Sequence, residues 1–447
     1  MYSTRLPREV STNIFRKVLK PEIKIPFSWL SESSKMRQYY RDAYLTIAGL
    51  QSSDSHRGIF HTRSGVPAAQ LASISMAPDL FFRACLPDTE AVFSNSVLNS
   101  RAWALQERLL STRMLCYNDE EIFWECNSCS LREGYKMNQI SGDMHPLLSL
   151  SEGGDFKRIL CKLSSSEDCL GIWYRLVTQY TRRSLTIQSD RLPAISGISS
   201  MFSSATGYCY ICGIWKEDIQ GLLWFNVDPR GHRPAYHAPS WSWASSIGAI
   251  SYRFETERAI TSPEDATIID VSVVNSSTDP FGQVKGGYVK IRGISIELQC
   301  SLSKRGGYVL ETRNLGKVFK GATEHEQHLS SQSSATYQPI FGIPKLDYWI
   351  DPVHSNNDLY IQDTRSCILL FIQRRIPSSL ATYTGGLIDS KGKRNSSALH
   401  FLIIEQCKEQ PDHWRRIGIA SSYDGPIRDF VERGLGEWAP ASKFVII

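Results

Sequence analysis

Arg101-Ala102-Trp103-Ala104-Leu105-Gln106-Glu107-Arg108-Leu109-Leu110-Ser111, followed by Met114-Leu115-Cys116-Tyr117 and Ile122-Phe123-Trp124-Glu125-Cys126, is the stretch that decides how this chain folds. Trp103, Leu105, Leu109 and Leu110 place an apolar stripe on a helix of about ten residues, opposite Arg101, Glu107 and Arg108. The two apolar runs after the helix predict strands around the turn Asn118–Glu121. Helix then hairpin is the expectation, with Trp103 and Trp124 meeting in one core and the acids Asp119, Glu120 and Glu121 solvated in the turn. Gln106 and Glu107 are neighbours on the helix and point about 100° apart. One of them is expected to be a buried hydrogen-bonding residue, with Arg113 as ion-pair partner, in a structural role.

Upstream, Met36, Tyr39, Tyr40, Ala43 and Tyr44 recur at helical spacing behind a Ser33-Ser34 cap, and Tyr44–Gly49 reads as a short buried strand. A helix running into an apolar strand is half of an α/β unit. Residues 1–30 show no sustained period and read as a basic, poorly ordered lead. Downstream, 134–155 is Gly- and Ser-rich and reads as loop, and 156–182 is helical with a break near Ser164–Ser166. Asp190 and Pro193 open another helix, carrying Leu192, Ile195, Ile198 and Phe202 on one face. A short helix with Ile219, Leu222 and Leu223 comes next.

After Pro239 the pattern turns to β. Trp241-Ser242-Trp243 alternates, Val289–Leu298 alternates around Gly293, and 367–373 is a buried run. His400–Cys407 and Arg415–Ser421 form a hairpin, Lys443–Ile447 is a strand, and Ser-rich 329–335 is loop. The division expected is therefore a 1–30 lead, an α/β part over 31–130, a helical region over 131–235 and a β-rich domain over 236–447. The fold class expected is α+β.

The chain has 447 residues with 50 Lys and Arg against 45 Asp and Glu. Hydrophobic residues make up 42% and charged residues 21%, the balance of a folded chain and not of a disordered, collagenous or coiled-coil one. Residues 1–40 hold eight cations and three acids, so the whole formal charge of +5 sits at one end. A nucleic-acid-binding fold spreads cations over a face, so no nucleic-acid partner is expected. The apolar runs are too short for a membrane helix, so no membrane partner is expected either. The N-terminus lacks the apolar core of a secretory signal. Its Arg- and Ser-rich character has a mitochondrial flavour, but Pro7, Pro21 and Pro26 break any long amphipathic helix. Eleven cysteines, an odd number in a long chain, fit reduced thiols in an intracellular protein, and a cytoplasmic or nuclear location is expected.

Candidate chemistry is sparse. Cys126/Cys129 and Cys209/Cys212 are Cys-x-x-Cys pairs, but they lie far apart in sequence and neither opens a helix after a strand, so buried packing is favoured over a shared zinc site or a redox role. His325-Glu326-Gln327-His328 has its histidines three apart, where one-helix zinc ligation needs four. No Gly-rich phosphate loop and no nucleophile elbow is present, so neither cofactor nor metal is expected. Trp215, Trp224, Trp241 and Trp243 read as core anchors.

The ordered set Arg101-Ala102-Trp103…Gln106-Glu107-Arg108…Arg113…Phe123-Trp124-Glu125-Cys126 closely resembles the end of the fungal heterokaryon-incompatibility (HET) domain. Glu32-Ser33-Ser34-Lys35-Met36 through Thr46-Ile47-Ala48 is similar to the helix and strand shortly before it. Asp190-Arg191-Leu192-Pro193, Gly213-Ile214-Trp215, Ala238-Pro239-Ser240-Trp241-Ser242-Trp243-Ala244 and Asp279-Pro280-Phe281-Gly282 are similar to the region downstream of that domain in many such proteins. The motif residues are Arg101, Trp103, Gln106, Glu107, Arg113, Trp124, Trp241 and Trp243. Family members open with a Ser-Tyr-x-Trp-Gly strand and a Trp-Ile-Asp-x-x-Cys-Ile-x-Gln segment, neither of which occurs here. The resemblance thus implies a partial, Toll/interleukin-receptor (TIR)-like α/β fragment, with the sheet edge near Tyr44–Gly49 left open to residues 1–30, a partner or a second copy. It also implies a role in self/non-self recognition and programmed cell death through protein contacts, without catalysis. The alternative it implies is a TIR-like NAD-cleaving hydrolase, with Glu107 as the candidate carboxylate.

Overall fold

A computed structural model describes residues 29–54, 56–60, 72–74, 77–82, 89–119, 121–133, 156–163, 169–227, 236–252, 257–260, 265–302, 308–312, 316–320, 345–346, 364–377, 398–422 and 441–447. The lead before residue 29, the loops at 134–155 and 329–335, and His325–His328 lie outside this set. The architecture is mixed α+β, and the chain divides into two compact units, Met1–Lys162 and Leu163–Ile447.

In the first unit, α1 (Trp29–Asp42) leads to β1 (Thr46–Gly49), β2 (Ala72–Ile74), β3 (Ala77–Phe82) and α2 (Thr89–Ser94). Then come α3 (Ala102–Leu110), β4 (Arg113–Tyr117), β5 (Ile122–Cys126), β6 (Ser130–Arg132) and α4 (Phe156–Cys161). α1 begins at Trp29, one turn before the expected cap. Ser33 and Ser34 lie inside it, where Lys35 donates to Glu32 at 2.9 Å and the Tyr39 hydroxyl reaches the same carboxylate at 2.8 Å. β1, β4, β5 and β6 form a four-stranded sheet in that order, with β1 parallel to β4 and the rest antiparallel. The hairpin over Met114–Cys126 lies where the apolar runs predicted it.

Strand alternation sends successive side chains to opposite faces. On one face Ala48, Met114, Cys116 and Phe123 join Leu50, Val92 and Phe93 in a buried core, with Phe93 and Phe123 edge to face at 5.6 Å. The expected meeting of Trp103 and Trp124 in that core is corrected. Both are half-buried, and the core ring is Phe123, whose neighbour Trp124 alternates to the other side.

In the second unit, α5 (Cys169–Thr181) buries Ile172, Leu176, Val177 and Tyr180 along one stripe. Two 3₁₀ turns at Gln188–Arg191 and Pro193–Ile195 feed α6 (Ser196–Thr206), burying Leu192, Ile195, Ile198 and Phe202 as their spacing predicted. α6 ends on Gly207, whose φ of 77° is the left-handed cap that glycine adopts without strain. β7 (Tyr210–Ile211), β8 (Ile214–Trp215), β9 (Trp224–Asn226) and β10 (Ile250–Tyr252) come next, in two small antiparallel pairs. Trp215 stacks on Phe202 at 4.8 Å and meets Trp173 edge-on at 4.9 Å, giving this part a fully buried aromatic centre.

Trp241-Ser242-Trp243 is not a strand. Ser242 caps a 3₁₀ turn at Trp243–Ser245, its side chain accepting from the Ala244 amide at 3.1 Å, and overlapping turns carry Pro239 to Ser246. A three-residue alternation is too short to distinguish a strand from a turn whose two indoles are both buried.

The remaining strands build one eleven-stranded sheet. They are β11 (Glu257–Ile260), β12 (Thr267–Asn275), β13 (Val284–Gly293), β14 (Ser295–Leu302), β15 (Tyr308–Thr312), β16 (Gly316–Lys320), β17 (Lys345–Leu346), β18 (Thr364–Pro377), β19 (Ala398–Gln406), β20 (His413–Ser422) and β21 (Ser442–Ile446). The main order is β12-β13-β21-β20-β19-β18-β14-β15-β16, with β11 on β18 and β17 on β20. β21 lies between β13, to which it is antiparallel, and β20, to which it is parallel. No helix among the described residues is long and apolar enough to cross a membrane.

Candidate functional site

α3 carries a different polar group on each of its sides. Arg108 was expected on the outer face; it is buried instead, and its guanidinium forks onto Glu125 of β5 with bonds of 2.9 and 2.8 Å. The same guanidinium lies over the Phe93 ring, 3.8 Å from its centre. Lys157 of α4 is 1% exposed and its Nζ has no hydrogen-bond partner among the described residues. Burial holds the Lys157 amine below its ordinary value, partly offset by the Glu125 charge, and pushes the Cys116 thiol up to about 12.

Gln106 is buried, as one member of the Gln106-Glu107 pair was expected to be. Glu107 hydrogen-bonds Tyr40 of α1 beside the Arg101 charge, and burial raises its carboxyl above the usual range against both influences. The Tyr40 phenol is raised in turn, first by burial and then by Glu107. Arg113 is not the partner of this pair. It is exposed on β4, with its guanidinium 5.1 Å from the centre of the Tyr44 ring. Glu121 is likewise corrected: 1% exposed, it ion-pairs with Arg132 of β6. The strand pairing that folds β6 back alongside β5 supplies the cation, and local sequence gives no sign of it.

The sheet face opposite the core carries an in-register apolar row. Ile47 of β1 pairs with Leu115 of β4, Leu115 with Trp124 of β5, and Trp124 with Leu131 of β6. Leu115, Trp124 and Leu131 are half-buried and Ile47 is 43% exposed. β1 ends the strand order, so among the described residues one side of its backbone is open, next to Tyr44, which is 83% exposed. A sheet edge with apolar side chains beside it is a template for pairing with another chain.

In the second unit the tryptophan motif locks turns together. The Ser242 hydroxyl donates to the Cys212 carbonyl and the Trp243 indole to the Gly213 carbonyl, both at 2.6 Å, and the Trp224 indole donates to the Trp241 carbonyl at 3.1 Å. Arg191 donates to the carbonyls of Ile247 and Gly248 at 2.9 and 2.6 Å. Arg416 lies 3.6 Å from the centre of the Trp224 ring and donates to the carbonyls of Leu222, at 3.2 Å, and Trp224. Trp215, Trp224, Trp241 and Trp243 are all fully buried, and the Ser242 hydroxyl, the Trp224 and Trp243 indoles and the Arg191 and Arg416 guanidiniums each hold backbone carbonyls.

Neither Cys-x-x-Cys pair joins a metal-holding group; among the described residues no three or more His, Cys, Asp or Glu converge. Cys126 and Cys129 are half-exposed, Cys209 is exposed and Cys212 buried. Protein-family models, curated proteins and solved structures give no match to the chain.

Proposed function

We propose that this chain is a recognition protein of the heterokaryon-incompatibility type, acting in fungal self/non-self recognition and programmed cell death through protein–protein contact. The observation that carries the reading is the Ile47–Leu115–Trp124–Leu131 row together with the open backbone of β1 beside it. Partner backbone adds to the edge of β1 while its apolar side chains cover the row, and the partner is another protein or a second copy of this chain. The motif residues support this reading by what they do. Of the motif residues in the first unit, Gln106 is buried and Glu107 is bonded to Tyr40, so both serve the fold, while Trp124 stands in the row itself.

The test is expression of the full chain in a fungal host, scored for growth arrest, beside Ile47→Lys and Trp124→Glu. Both variants are expected to lose the arrest while remaining folded, as read by a cooperative unfolding transition. Arrest that persists in both variants excludes this surface.

The TIR-like NAD-cleaving reading has one observation in its favour, the raised carboxyl of Glu107. Incubating the purified chain with NAD and measuring nicotinamide release tests it. Release that Glu107→Gln abolishes would establish the enzyme; no release removes it.

A further inference from the structure

The four residues Cys126-Asn127-Ser128-Cys129 close the β5–β6 hairpin, with the Cys126 amide donating to the Cys129 carbonyl at 2.9 Å. Antiparallel partners lie with Cα atoms about 4.5–5.5 Å apart, inside the roughly 4.4–6.8 Å that a disulfide spans. The two sulfurs are already 3.6 Å apart. Both thiols are half-exposed, so a small reagent reaches them.

We propose that Cys126 and Cys129 form a peroxide-sensitive dithiol, with Cys126 the attacking thiol and Cys129 the resolving one. The assignment of roles comes from the hairpin. Partial burial opposes ionisation of Cys126, but the Ser128 and Cys129 amides, the Cys129 thiol and the Trp124 side chain all hydrogen-bond to its sulfur and bring it below its ordinary value. The Cys129 amide lies 3.4 Å from that sulfur. Cys129 is raised, by partial burial and by donating to Cys126, with the Arg158 charge acting the other way. A thiolate held by donors is the nucleophile, and the neighbour that holds its proton is the second reactant.

The chemistry balances with one hydroperoxide. The Cys126 thiolate attacks a peroxide oxygen; the S–O bond forms, the O–O bond breaks, and the leaving oxygen takes a proton to depart as water or alcohol. Cys129 then attacks the sulfenyl sulfur of Cys126, forming the S–S bond, and the hydroxyl leaves as water with the Cys129 proton. The two thiols are oxidised and the peroxide is reduced. Other thiols are placed differently: Cys116, Cys169, Cys212, Cys367 and Cys407 are buried, and Cys161 and Cys209 are exposed.

The experiment uses the reduced full chain, a hydrogen peroxide titration, quenching with an alkylating reagent and peptide mapping. The expected result is a Cys126–Cys129 disulfide that forms at the lowest peroxide doses, while Cys161 and Cys209 remain alkylated. Cys129→Ser is expected to stop the reaction at a Cys126 sulfenic acid that dimedone traps, and Cys126→Ser to leave Cys129 reduced at the same dose. Recovery of both thiols unoxidised, or oxidation of Cys161 or Cys209 at lower dose than the pair, overturns the proposal. Dimedone trapping at Cys129 in the Cys126→Ser chain overturns the assignment of roles.

Discussion

Gly213 and Trp243 are fitted to one another: the indole nitrogen donates to the Gly213 carbonyl at 2.6 Å, and a Cβ on Gly213 would lie 2.7 Å from that same nitrogen. Gly213 also has a φ of 93°, a backbone state that side-chain-bearing residues rarely adopt. Gly213→Ala therefore combines backbone strain with a clash against a buried ring. We predict a loss of more than about 2 kcal/mol, read by denaturant unfolding. Paired with Trp243→Leu, the two losses will be less than additive, because the second change removes the atoms the methyl strikes.

Arg108→Met leaves the Glu125 carboxylate buried without its fork of donors. The predicted cost is about 3–5 kcal/mol. The double change Arg108→Met with Glu125→Leu is expected to recover most of it, since apolar side chains of similar volume replace a buried pair at little net cost. Urea unfolding of the three chains, compared at one pH, checks both statements.

Lys157 gives a pH signature. Its amine is lowered on folding, so the folded state holds that proton more weakly than the unfolded state does. Stability then rises with pH between the lowered folded value and the ordinary 10.5. Lys157→Met is expected to be more stable than the wild type near neutral pH, because it removes a buried amine that burial disfavours in its charged form. The gain should shrink as pH climbs through that window. A gain that does not vary with pH would contradict this account.

Glu107 titrates in the opposite sense. Its carboxyl is raised on folding, so the folded state holds the proton more tightly. Stability is lost as pH rises from the ordinary 4.5 to the raised folded value, and it is regained on acidification through the same window. Glu107→Gln keeps an acceptor for Tyr40 and removes the charge. It should therefore be more stable than the wild type at neutral pH and equal to it below the ordinary carboxylate range. Thermal unfolding across a pH series measures the difference.

The sequence carried the elements whose cause is local and hid those whose cause is distant. Met114–Cys126 was legible as a hairpin because two apolar runs flank one polar turn, and the buried face Leu192, Ile195, Ile198 and Phe202 was legible from its spacing. The Arg108–Glu125 and Arg132–Glu121 pairs were not, because each cation is brought to its acid by strand pairing and helix packing across intervening residues. Read locally, Arg108 belongs to a polar helix face and Glu121 to a turn. The start of α1 was missed because Ser33-Ser34 has the composition of a cap while lying inside the helix. At the proposed recognition surface, the sequence reads Tyr44 and Ile47 as part of one short strand and Trp124 as part of another. That Ile47 and Trp124 fall in one row across four strands, with Tyr44 beside the open edge, is a property of register, which no single segment encodes.

β21 fastens β12 and β13 to the rest of the large sheet, although it follows every other described strand of that sheet in the sequence. As the polypeptide grows, β13 must wait until every other strand of the sheet has emerged before its inner partner exists. During that interval its buried residues Val289 and Ile291 are without the neighbours that cover them in the finished protein. Pairing across so long a separation is slow and leaves sticky intermediates.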